Sequence, residues 1–216
     1  MGKWLRLLAW TAIIIGSVIG LARATAIRWW RVPTMDRDPD LVASLGPTLL
    51  GGDLVIAWRL TKPGLGDLAV CEDPEDPRRV VIGRIAAEGG EQITVEGSQF
   101  TVDGKRVETE RACLPNTFEA EHPDTGEAIE QHCQVEVMRG QSHMRGAVPP
   151  DGPEPAGDSA EVPPGHFYLL SDNRLLPYDS RHYGTVEQSK CSESVVFRLV
   201  GRAGYADAES RFTFIQ

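Results

Sequence analysis

The chain has 216 residues, with 22 basic and 31 acidic side chains and a formal net charge of −9. That length suits one domain, or one domain with an inserted lobe, and is enough to bury a core. The acidic balance excludes nucleic acid as an expected partner, since phosphate contacts need a basic face.

Lys3 and Arg6 precede an uncharged run over residues 7–22, closed by Arg23 and, a little later, by Arg28-Trp29-Trp30-Arg31. A spanning helix needs about 20 apolar residues. The run is shorter than that, and snorkelling of Arg6 and Arg23 toward the interface extends it. Trp29 and Trp30 suit an interfacial aromatic anchor. A cleaved secretory signal has the same basic start and apolar middle, with small residues at 22 and 24, or 24 and 26, as its cleavage site. The retained, single-pass anchor is the preferred reading. Either reading puts the main domain outside the cytoplasm, on the periplasmic or outer face, with the lipid bilayer as a partner.

Residues 36–40 form a charged stretch leading away from the anchor. Short strand-like runs follow at 53–58, 66–70, 80–82, 92–95 and 99–102. The last two alternate in apolar character about Glu96-Gly97-Ser98 and predict a hairpin. Asp103-Gly104 is a second turn signal. Late strands are predicted at 166–170 and 195–200. With 22 Gly and 15 Pro, no long amphipathic helix is expected beyond the anchor.

Residues 108–161 are polar and rich in Glu, Pro and Gly, and predict an inserted β-hairpin lobe. Its proline-rich end, 147–162, reads as an exposed loop. Cys113 and Cys133 bracket a turn at Pro123-Asp-Thr-Gly-Glu127, and one disulfide pinning the lobe is the simplest arrangement. The four cysteines, Cys71, Cys113, Cys133 and Cys191, match no zinc spacing, so no metal and no cofactor are expected. Their even number suits two disulfides in an exported domain, with four buried thiols as the alternative. The predicted division is an anchor and flank at 1–31, a β core at 32–107 and 162–216, and a lobe at 108–161.

The most specific motif is Ser171-Asp172-Asn173-Arg174 through Asp179-Ser180-Arg181 and Gly184, after the strand His166-Phe-Tyr-Leu-Leu170. It resembles the signature of the type I signal peptidases. Leu65-Gly66-Asp67, Arg84-Ile85 through Gly89-Gly90-Glu91, and Asp103-Gly104-Lys105 resemble further family blocks in order and spacing. Ser44-Leu45-Gly46-Pro47-Thr48-Leu49 resembles the nucleophile block. The resemblance implies a mostly β fold, a coiled antiparallel sheet on an N-terminal transmembrane helix. It also implies a membrane-bound serine endopeptidase cutting the signal peptides of exported precursors after small residues. Ser44 is the implied nucleophile. Asp172, Asn173, Arg174, Asp179, Ser180 and Arg181 form the implied cleft motif, with bracing the expected role of Asp179 and Arg181.

The family's base is a neutral lysine kept so by burial. Its position here is Gly83, which has no side chain to take a proton. The remaining lysines, Lys3, Lys62, Lys105 and Lys190, lie in other blocks. Pro177 and Val42 stand where the family carries hydroxyl residues. Loss of a general base costs about 10²–10⁴-fold in rate, and of an oxyanion donor about 10²–10³-fold. A catalytically inactive homologue that binds peptides or a membrane protein is therefore the alternative function. Thr34, in Arg31-Val32-Pro33-Thr34-Met35, is a rival nucleophile. Among the histidines at 122, 132, 143, 166 and 182, His182 is the candidate substitute base. Ser44 is expected to face a shallow apolar groove with no lysine in reach.

Overall fold

The computed structural model describes residues 2–148, 152 and 155–215. Helix α1, Gly2–Thr25, has 24 residues. At about 1.5 Å per residue it is roughly 36 Å long, longer than the roughly 30 Å hydrocarbon core of a bilayer. Its large apolar side chains pack on nothing: Trp4, Leu8, Ile14 and Val18 are all exposed. The helix is thus long and apolar enough to cross a membrane.

The chain passes directly into strand β1, Ile27–Arg31. Strand alternation separates the two tryptophans. Trp29 stays 43% exposed beneath Arg23, whose guanidinium lies 5.0 Å from the ring centre. Trp30 instead packs against the core around Val32 and Val55. Only Trp29 therefore remains available as an interfacial anchor.

Helix α2, Pro39–Leu45, is followed by β2, Leu54–Trp58, β3, Leu68–Glu72, and β4, Val80–Glu88. The middle hairpins are β5, Gln92–Glu96, β6, Gln99–Val102, and β7, Lys105–Arg106. Asp103 and Gly104, both at positive φ, make the tight turn between β6 and β7. Next come β8, Glu108–Glu121, β9, Ala128–Met138, β10, Gln141–Ala147, and β11, Asp158–Glu161. The chain closes with β12, His166–Leu170, α3, Ser180–Tyr183, β13, Val186–Glu187, β14, Cys191–Val200, and β15, Thr213–Phe214.

The paired strands form three antiparallel sheets. An eight-stranded sheet runs β1-β2-β14-β3-β4-β12-β13 with β15 on β14; the others run β11-β5-β6-β7 and β10-β9-β8. The mostly β architecture behind an apolar helix is as expected. Two boundaries differ. The lobe is a three-stranded meander rather than one hairpin. Residues 158–161, read as loop, form a strand paired with β5 from Asp158↔Val95 to Glu161↔Gln92. Across this pair the Ser159 hydroxyl reaches the Thr94 hydroxyl at 3.1 Å. Residues 149–151 and 153–154 of the proline-rich loop lie outside the described residues.

β4 is buried almost throughout and divides the core. Ile82 joins Leu41, Leu45, Leu49 and Val195 in one cluster, while Val81 and Ile85 join Leu169, Tyr183 and Val186 in another. Disulfides link Cys71 to Cys191 across β3 and β14, and Cys113 to Cys133 across the lobe.

Candidate functional site

The site is built around α2. Asp38 caps this helix by accepting from Leu41 N, and Pro39 occupies its first position, where a missing N–H costs nothing. Gly46-Pro47 ends it. Ser44 therefore lies in the last turn of a helix, not on an open loop. Its side chain is fully buried, and Oγ donates to Leu41 O at 2.8 Å. This back-bond to the preceding turn is the usual fate of a helical serine. The expected groove-facing Ser44 is thus not found; helix formation by residues 39–45 turned the hydroxyl inward.

The C-terminal motif clamps the same helix. Asn173 Nδ2 donates to Ala43 O at 2.8 Å, and Asn173 N donates to Ser44 O at 2.9 Å. These two bonds satisfy carbonyls that a helix end leaves without partners. Asp172 accepts from Arg84 Nε at 3.0 Å and Nη2 at 2.8 Å. Arg174 pairs with Glu136 at 2.7 Å and lies over the Phe100 ring. Asp179 caps α3, accepts from Ser171 N at 2.9 Å and pairs with Arg181 at 2.7 Å. Ser180 Oγ accepts from Leu169 N at 2.9 Å. All six motif residues thus have internal partners.

At Gly83 an added Cβ meets Leu169 Cβ at 3.1 Å and Leu170 O at 3.3 Å. A side chain there would crowd the neighbouring strand, which would have to give by a few tenths of an ångström. Its neighbour Ile82 packs with Leu41 and Leu45 of α2. Residues 82 and 83 face opposite sides of a strand, so position 83 points away from the side on which α2 packs. Lys190 pairs with Glu72 at 2.8 Å, and this hydrogen bond raises its pKa, the reverse of what a base requires. Lys62 and Lys105 are exposed. Ser44 and a lysine base are not brought together.

His182 is half-exposed and stays with Asp179, at 4.0 Å from Oδ1. Thr34 lines a cavity of about 460 Å³ together with Met35, Asp36, Val42, Ala43 and Gly46. Thr34 beside it holds the Asp36 carboxyl below the usual range, which makes Asp36 a weaker base.

Sequence reasoning missed a buried charged network from the lobe. Glu136 meets Arg145 at 3.1 Å and His143 at 3.3 Å besides Arg174, and all four side chains are inaccessible. Burial alone would raise the Glu136 pKa, but Arg174, then His143 and Arg145, outweigh it and hold it low. At Asp172 burial is likewise outweighed by Arg84. His143 is pushed down by burial and by Arg84, against the pull of Glu136 and Asp172, so it is neutral at pH 7. The Val135-Glu136-Val137 alternation reads as a strand with an outward carboxylate, so the sequence carried no signal of this burial.

The family model described as signal peptidase, peptidase S26, matches residues 4–200. The chain is similar to mitochondrial ATP-independent inner membrane protease subunit 1a of Arabidopsis thaliana, 27% identical over 161 residues, 72% of this chain and 65% of that protein's length. It is also similar to signal peptidase I of Streptococcus pneumoniae, 25% identical over 162 residues, 72% of this chain and 78% of that protein.

Proposed function

This chain belongs to the signal peptidase family, peptidase S26, and on that premise we propose that it binds exported peptide segments at the membrane without cutting them by Ser/Lys chemistry. The observation that carries this reading is the state of Ser44. Its hydroxyl is buried, bonded to Leu41 O, and has no lysine partner. A serine attacks only when an adjacent base takes its proton, and Gly83 supplies none.

In this reading α1 anchors the chain, the main domain lies on the outer face, and the ligands are precursor segments emerging from the bilayer. Residues 32–107 and 162–216 form the peptide-binding core, with 158–161 added to it by pairing. Ser44 marks the vestigial nucleophile position, and Asn173 of the motif braces the helix that carries it.

A second reading, that of a slow endopeptidase, is favoured by Ser44 standing at its family spacing from Pro47, Thr48 and Leu49. Incubating the purified full chain with a radiolabelled precursor in detergent separates the two. The binding reading expects a precursor photocrosslink and no cleaved product. Cleavage that Ser44→Ala abolishes overturns it.

A further inference from the structure

The cavity beside α2 lies between the residues around that helix and strand β8 of the lobe. One wall is Thr34, Met35 and Asp36 with Val42 and Ala43; the facing wall is Glu119, Ala120 and Glu121 of β8. One contact joins the two walls. The Phe118 ring fills the space where a Gly46 side chain would sit, an added Cβ there lying 2.9 Å from it. Phe118 also abuts Gly146, 3.0 Å from the corresponding position. The volume of about 460 Å³ falls within the range of ligand sites.

Charge is distributed unevenly along the chain. Residues 108–161 hold 12 of the 31 acidic side chains and three of the 22 basic ones, so this segment carries the whole net charge of −9 and the rest is neutral. Asp36, Glu119 and Glu121 stand on the cavity rim, and among the described residues none of them forms an ion pair. Arg202 is the one basic residue in the lining. Small and apolar side chains, Val42, Ala43 and Ala120, make the floor.

We propose that this cavity binds an extended peptide segment carrying a lysine or arginine among small residues, the cation meeting Asp36, Glu119 and Glu121. This rests on the peptide-binding reading above and adds to it a charge preference supplied by the lobe. The small floor residues admit the backbone and short side chains, and the rim excludes acidic segments by like-charge repulsion. Thr34 holds the Asp36 carboxyl below its usual range, so it is charged at neutral pH.

The test uses the full chain in detergent and three fluorescein-labelled alanine-rich peptides, identical except for a central Lys, norleucine or Glu. Anisotropy titrations are expected to show the Lys peptide binding roughly tenfold more tightly than the Glu peptide, from several exposed pairs each of modest strength. That ratio should shrink toward one in about 0.5 M salt, where the Debye length falls well below 10 Å, and in the Glu119→Gln/Glu121→Gln variant. Both carboxylates are exposed, so the variant keeps its fold, which circular dichroism checks. Equal affinity for the three peptides overturns the charge preference while leaving peptide binding intact. No binding of any of the three overturns the peptide-binding reading itself. A Lys preference that survives the double substitution also overturns the assignment to this rim.

Discussion

Arg84 and Asp172, 88 residues apart, form a two-pronged ion pair that solvent does not reach, with contacts of 3.0 and 2.8 Å. Arg84 also donates through Nη1 to Gly66 O at 3.0 Å. One guanidinium thus joins β4, the turn before β3 and the motif whose Asn173 holds α2. Breaking such a pair leaves an uncompensated buried charge. Asp172→Ala is expected to destabilise the fold by about 3–5 kcal/mol, measured by urea unfolding of the full chain in detergent. An Arg84→Met/Asp172→Leu double variant should recover much of that loss. A double variant no better than Asp172→Ala would show the pair to be stabilising in its own right.

Acid should destabilise the fold in two steps. His143 has a folded pKa below its unfolded value of about 6.5, so the unfolded chain binds the proton more readily. Its contribution is complete above about pH 6.5 and is lost as pH falls below that. Asp172, Glu136 and Asp179 also have depressed folded values. Their contribution is complete above about pH 4 and is lost as pH falls through those folded values. Thermal unfolding followed across this range should show both phases. His143→Gln should remove the upper phase and leave the lower one.

The two disulfides should differ in weight. Cys71–Cys191 spans 120 residues of sequence and Cys113–Cys133 spans 20. Chain-entropy arithmetic gives about 5 and about 3 kcal/mol respectively. Paired Cys→Ser variants at each site, compared by urea midpoint, are expected to rank in that order. A lobe variant that loses more would place the dominant effect in the native state.

Restoring the lysine alone should not restore a dyad. Gly83→Lys puts a Cβ 3.1 Å from Leu169 Cβ, and position 83 faces away from the side on which α2 packs. The expected result is a less stable protein with no gain in precursor cleavage. Measurable cleavage by this variant would mean that α2 unwinds to present Ser44.

Much of the fold was legible because short apolar runs between turn residues leave few alternatives. The hairpin of Gln92–Glu96 with Gln99–Val102 follows directly from alternation and a glycine turn. Trp30 and residues 158–161 were less legible, because each depends on a distant partner, the core around Val55 for one and β5 for the other. At the candidate site, Gly83 announced the missing base in the sequence alone. The burial of Ser44 did not, although Asp38-Pro39 was a readable helix start. The Glu136 network stayed hidden because its members, Arg145, His143 and Arg174, meet only in three dimensions.

The most direct measurement is cleavage of a radiolabelled exported precursor by the purified full chain, run beside Ser44→Ala. A buried Ser44 bonded to Leu41 O and a glycine at the base position predict no product from either protein, with the precursor still crosslinking to both. Product from the unmodified chain that disappears with Ser44→Ala would contradict this, and would make Ser44 a working nucleophile with a base other than lysine at position 83.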